Sequence, residues 1–118
     1  MTNQYWSIII TGSVPCSFVP DVYTEDGIPP TSLVARVGDL VSWNNQTDDD
    51  HEIWITNENY DPQTQATDRI RAWEPSTGYV VAQTDISPPT TTAPPPDQTI
   101  YYYCSVHTEE HGTITVVS

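Results

Sequence analysis

A cysteine with a histidine three positions later, Cys104-Ser105-Val106-His107, closes the strand-like run Thr99-Ile100-Tyr101-Tyr102-Tyr103 and is followed by Glu110-His111-Gly112. On a tight turn between two β-strands, this spacing presents a thiolate sulfur and an imidazole nitrogen to one metal ion. A thiolate selects a soft or borderline metal, and the segment reads as a copper loop because copper bonds strongly and covalently to sulfur. Two ligands do not make a site. A third is offered by His51, in Ser42-Trp43-Asn44-Asn45-Gln46-Thr47-Asp48-Asp49-Asp50-His51-Glu52-Ile53-Trp54. An isolated loop histidine is an ordinary residue, and His51 gains meaning only beside the cysteine and histidine downstream.

Three separated blocks then form a pattern. Val37-Gly38-Asp39-Leu40-Val41-Ser42-Trp43-Asn44-Asn45 leads to His51, Tyr103-Cys104-Ser105-Val106-His107 follows, and Gly112-Thr113-Ile114-Thr115-Val116-Val117 ends the series. In this order they resemble the cupredoxins, the blue-copper family that includes plastocyanin, amicyanin and azurin. Order and spacing together are more specific than any single block. The resemblance implies one cupredoxin-like domain over residues 1–118 and an all-β Greek-key sandwich. It also implies one copper ion cycling between Cu(I) and Cu(II), held by His51, Cys104 and His107 with a weak fourth ligand. The implied activity is the carriage of single electrons to or from a redox partner protein.

The chain departs from that family at the fourth ligand. Cupredoxins usually place a methionine two residues before the glycine that opens the last strand, and Glu110 stands in that slot here; the only methionine is Met1. A carboxylate is a hard, charged donor that favours Cu(II) over Cu(I), so it lowers the reduction potential and weakens the copper-thiolate bond. Three readings of the axial position are open. Glu110 coordinates directly; or His111 does, in a loop resembling that of the red-copper protein nitrosocyanin; or the position holds water or a backbone carbonyl such as that of Asp50. Glu52 occupies the place where the family often has an asparagine tethering the two ligand loops, and a hydrogen bond from Ser105 to Glu52 is a possible replacement. Glu52 is also a conceivable ligand, although as the first residue of an alternating strand it is expected to point away from the metal.

The elements that must position these residues are short. Tyr5 to Thr11, Ser32 to Val37, Asp39 to Trp43, Glu52 to Thr56, Thr99 to Tyr103 and Thr113 to Val117 are rich in β-branched and aromatic residues and bounded by turn formers. Their spacing suits a Greek-key β-sandwich. No helical period persists, and Pro62 to Asp68 is expected to hold at most a turn. The proline-rich loop at about 86–97, with Pro88, Pro89, Pro94, Pro95 and Pro96, is expected to be an extended surface connection favouring polyproline II.

With 118 residues the chain is long enough for a two-sheet core. Sixteen acidic residues against three arginines and no lysine give a net charge of −13. Such a surface repels nucleic acid and anionic membranes and steers a cationic redox partner toward it, while solubility or a salty habitat explains the same charge. The longest aliphatic run, Ile8-Ile9-Ile10, is far short of the roughly 20 residues that span a bilayer. Met1 to Trp6 lacks the basic start and apolar core of a signal peptide. Copper-thiolate sites of this kind usually work outside the cytoplasm, so the expectation is a monomeric periplasmic or extracellular protein, with any signal or anchor absent from this sequence. Cys16 and Cys104 allow a disulfide, but a disulfide requires neither His107 nor His51, and Cys16 reads instead as a buried free thiol.

Four classes of function remain: an electron carrier, an open or red-copper site that binds or converts a small ligand such as nitric oxide, a copper storage or delivery domain, and a metal-free adhesion sandwich. The residues favour the first, with enzymatic activity left undecided.

Overall fold

Short extended runs, the longer of them alternating between buried and open side chains, make nine strands among the described residues. The computed structural model describes residues 3–88, 92–95 and 97–117. The strands are β1 (Tyr5–Thr11), β2 (Ser17–Pro20), β3 (Leu33–Arg36), β4 (Leu40–Asn45), β5 (Ile53–Thr56), β6 (Pro62–Gln65), β7 (Tyr79–Val80), β8 (Thr99–Cys104) and β9 (His111–Val117), with one 3-10 turn at Gln83–Asp85. They form a four-stranded sheet in the order β2-β1-β4-β7 and a five-stranded sheet in the order β3-β9-β8-β5-β6. Both sheets are mixed: β1 runs parallel to β4 and β3 parallel to β9, while the other pairs are antiparallel.

The two layers share one core. Ile8 and Ile10 of β1 with Val41 and Trp43 of β4 come from one sheet, and Leu33, Ile53, Ile55, Ile100, Tyr102 and Ile114 from the other. Phe18 and Trp43 meet the Tyr102 ring edge-on, with centroids 5.0 and 5.2 Å apart, an arrangement that suits the aromatic quadrupoles. The all-β sandwich expected from the sequence is therefore the observed architecture.

The alternating runs were legible to within a few residues, but three strands were not. The segment Pro62 to Asp68, expected to hold a turn, instead opens with the edge strand β6. Its residues are all exposed, so it shows no alternation, and a proline is tolerated where no ladder hydrogen bond is needed. β2 and the two-residue β7 are too short to show a period. The polyproline II expectation for the proline-rich loop falls partly on residues 89–91 and 96, which lie outside the described residues.

Buried Asp39 ties the turn between β3 and β4 to the start of β1. Its carboxylate accepts from the amides of Gln4 and Arg36 and from Trp6 Nε1, each at 2.9 Å. These three donors hold its pKa below the usual aspartate value even though burial pushes the other way.

The register between β8 and β9 depends on a missing side chain. Gly112 pairs with Tyr102, and a Cβ on Gly112 would overlap the phenol ring of Tyr102. Tyr102 is wedged between Phe18 and Trp43 and has little room to retreat. Gly112→Ala should therefore lower stability by about 1–3 kcal/mol, the usual range for overpacking, as read from chemical denaturation midpoints. Wild-type stability in that variant would show that the Tyr102 ring is free to move.

Candidate metal centre

Four side chains from two stretches of the sequence meet at one end of the sandwich. His51 precedes β5 and is fixed by a two-way bridge to Ile70, with N–H···O distances of 2.9 and 2.6 Å. Cys104 is the last residue of β8 and pairs with Ile53. His107 lies in the loop that follows, and Glu110 immediately precedes β9. Main-chain bonds close this loop: Cys104 N–H donates to the Glu110 carbonyl at 3.0 Å, Glu110 N–H to His107 at 2.9 Å, and Ser105 N–H to Glu52 at 2.9 Å.

The donor atoms face one another. Cys104 Sγ is 3.5 Å from His51 Nδ1 and 3.9 Å from His107 Nδ1. Glu110 Oε1 is 3.1 Å from His51 Nδ1 and 3.5 Å from His107 Nδ1. One such atom from each of the four residues lies within 4.8 Å of the others, a group able to hold a metal ion. His51, Cys104 and Glu110 are buried, whereas the His107 side chain keeps 18% of its exposure.

The hydrogen-bond network assigns the His51 tautomer. Thr47 Oγ1 donates to Asn45 Oδ1 at 2.7 Å, so it accepts from His51 Nε2 at 3.0 Å. The proton thus sits on Nε2, and the Nδ1 lone pair faces the cluster, the arrangement typical of a metal-ligating histidine with an oriented second nitrogen. With no proton on Nδ1, the short approach of Glu110 Oε1 is not a hydrogen bond, and Oε1 is a buried oxygen without a hydrogen-bond partner. A nitrogen lone pair, a sulfur and an unsatisfied carboxylate oxygen converge in a dry site, and a cation between them would satisfy all three. The residues present therefore fit a thiophilic metal with nitrogen and oxygen co-ligands.

Burial raises the Cys104 pKa above the ordinary thiol value, offset in part by backbone groups of Glu52, His107 and Val106. Burial also lowers the His51 pKa, although the charge of Glu110 opposes it. A bound cation reverses the first effect, because a coordinating thiol loses its proton.

Two neighbours are turned elsewhere. His111 is exposed, its ring stacked on Tyr60 at 3.8 Å and 8°, with Nε2 2.8 Å from the Thr108 carbonyl oxygen. As the first residue of β9 it faces away from Glu110, so the structure does not bring it to the cluster. Glu52 stays outside as well: its Oε2 accepts from Ser105 Oγ at 2.8 Å and from Trp54 Nε1 at 2.9 Å. The Ser105 to Glu52 bond joins the two ligand-bearing segments, so of the two alternatives, a lost tether or this replacement, the structure has the replacement. Cys16 and Cys104 are both free thiols.

Sequence reasoning missed the Asn45–Thr47 network and the Cys16 main chain. Asn45-Gln46-Thr47 carries a signal, since Asx and hydroxyl side chains commonly bond to groups two residues away. Cys16 carries none: its N–H bonds to Glu110 Oε2 across 94 positions.

The chain has the cupredoxin fold. The purple cupredoxin from Nitrosopumilus maritimus is similar in structure with a TM-score of 0.61 and 22% identity, over 98% of this chain and 99% of that one. Amicyanin from Paracoccus versutus gives 0.58 at 10% identity, over 93% of this chain and 78% of that one. No family model matches the chain, and no curated protein is similar to it in sequence.

Because the folded-state pKa of His51 lies below its usual 6.5, the unfolded chain takes up the extra proton first as the solution is acidified. The stability that depends on neutral His51 is fully present above pH 6.5 and is lost as pH falls through the folded-state value. Urea unfolding of metal-free protein from neutral to mildly acidic pH should show this loss, and His51→Leu should flatten it. An equal slope in the variant would assign the loss to another group.

Proposed function

We propose that this protein carries single electrons on one copper ion held by His51, Cys104, His107 and Glu110. The observation that carries the reading is the convergence of four donor atoms within 4.8 Å, one of them a buried carboxylate oxygen with no hydrogen-bond partner. Copper supplies the one-electron Cu(I)/Cu(II) couple. One amicyanin of this fold is described in a reduced Cu(I) form, with a TM-score of 0.52 and 14% identity. Cys104 provides the soft, covalent ligand, and the two imidazoles provide nitrogen donors acceptable to both oxidation states.

The surrounding chain supports a carrier. Main-chain bonds tie Cys104, His107 and Glu110 to one another, and the Ile70 bridge and Thr47 fix His51, so the ligands have little freedom to rearrange when the charge changes. His107 is the most exposed of the four, beside the exposed Val106, and offers a partner the shortest way in. Glu110 in the fourth place, where a thioether is usual, favours Cu(II) and lowers the potential. Its burial supports a filled fourth position over an open one that would bind nitric oxide or another small ligand.

The partner in this reading is a redox protein with a cationic docking surface, because the carrier has a net charge of −13. No helix among the described residues is long and apolar enough to cross a membrane. A single monomeric domain working in a periplasmic or extracellular space fits the copper-thiolate chemistry, and neither nucleic acid nor membrane insertion has a place in it.

Copper-loaded protein should show an intense thiolate-to-copper absorption that Cys104→Ala abolishes and Cys16→Ala retains. The reverse result, or no copper uptake, would overturn the assignment. Association with a cationic redox partner should slow steeply as salt rises, since charge steering is screened over about 8 Å at physiological ionic strength. Salt-independent rates would remove the docking role of the acidic surface.

A further inference from the structure

We propose that the main-chain N–H of Cys16 is a positioning group for the metal centre: it holds one oxygen of Glu110 and presents the other, so the fourth position accepts a carboxylate and rejects the isosteric amide. The inference rests on the copper reading above and adds a residue and a selection rule to it. Cys16 is buried in the connection between β1 and β2, and its N–H donates to Glu110 Oε2 at 2.5 Å. The other oxygen, Oε1, has no hydrogen-bond partner and lies 3.1 Å from His51 Nδ1 and 3.5 Å from His107 Nδ1. The carboxylate is thereby divided, with Oε2 committed to the protein and Oε1 to the donor cluster.

That division follows from what each side requires. The Cys16 N–H needs an acceptor because its bond to Glu110 is buried. The cluster needs an atom with a lone pair to give. A carboxylate supplies an acceptor on both sides, whereas a glutamine amide has an oxygen on one side and an NH₂ donor on the other. If the glutamine oxygen faced Cys16, the NH₂ would face the histidine nitrogens and offer no lone pair to a metal. If it turned, NH₂ and Cys16 N–H would oppose each other as two donors with no solvent to separate them. Either way one side is left unsatisfied. The Cys16 thiol is not among the four clustered donors: its Sγ lies 3.8 Å from the Gly12 carbonyl oxygen.

Glu110→Gln preserves size and shape, and Glu110→Ala removes the acceptor altogether. In metal-free full-length protein, hydrogen exchange at the Cys16 amide, followed by NMR, should be slow in wild type and in Glu110→Gln. It should be faster by about tenfold or more in Glu110→Ala, because the amide loses its partner. With copper(II) sulfate titrated against a competing chelator, Glu110→Gln should bind about 10- to 100-fold more weakly than wild type, the range seen when a ligand-orienting contact is lost. Its visible and electron paramagnetic resonance spectra should match those of Glu110→Ala. Wild-type affinity or a wild-type spectrum in Glu110→Gln would overturn the proposal, as would unchanged Cys16 exchange in Glu110→Ala. No copper uptake by the wild-type protein would overturn the functional reading and this one with it, whereas uptake combined with either of those results overturns this one alone.

Discussion

The pairing of β8 with β9 is the constraint on which the metal end of the molecule depends. Strand side chains alternate between faces, so a slip of one residue exchanges everything that points inward for everything that points outward. In the observed register Tyr103 pairs with His111 and Tyr102 with Gly112, and the Cys104 amide bonds to the Glu110 carbonyl just beyond the ladder. Glu110 therefore faces the cluster and His111 faces Tyr60. Only a residue without a side chain fits beneath Tyr102, so Gly112 fixes the register that turns Glu110, two positions before it, inward and His111, one position before it, outward. Core packing and the make-up of the cluster are in this sense one problem: the aromatic contacts of Phe18 and Trp43 that immobilise Tyr102 also keep Glu110, rather than His111, turned inward.

A second consequence concerns charge. Glu110 and His51 are buried with none of the described arginines at hand, although Arg69 approaches Glu52 at 3.9 Å nearby. An ionised carboxylate removed from water costs several kcal/mol unless it is compensated. The Cys16 amide compensates one oxygen, and a metal cation would compensate the other. On the copper reading proposed above, metal binding would be coupled to folding, because the cluster forms only when β8, β9, the His51 bridge and the β1–β2 connection are all in place. Burial also depresses the pKa of His51, against the pull of the Glu110 charge, and raises that of Cys104.

Much of this was legible in the sequence, for a physical reason. Tyr5 to Thr11 and Thr99 to Tyr103 are rich in β-branched and aromatic residues and bounded by turn formers, and that composition is visible in a single sequence. β6 was not legible because all of its residues are exposed, and β7 because two residues carry no period. The cysteine-to-histidine spacing marked Cys104 and His107 as a pair, since groups on one turn leave a local trace, and His51 joined them only through the order of the three blocks. Spacing left Glu110 and His111 in competition, because the two are adjacent and only the register with β8 decides which one turns inward. The Cys16 contribution was invisible in principle: it is made by a main-chain N–H, which every residue except proline possesses.

The same division explains how a very acidic protein can keep a selective site. The charges that give the chain its net −13 are mostly exposed, where they act at long range and are screened by salt. Glu110 is different in kind, since it is dry, anchored at one oxygen and aimed with the other. A surface carboxylate such as Glu109, one residue away, is solvated and free to rotate, so it cannot discriminate between metals or hold a fixed geometry. What distinguishes the two glutamates is the β1–β2 connection laid over one of them. The tertiary packing that brings Cys16 against Glu110 turns an ordinary acidic residue into a directed donor.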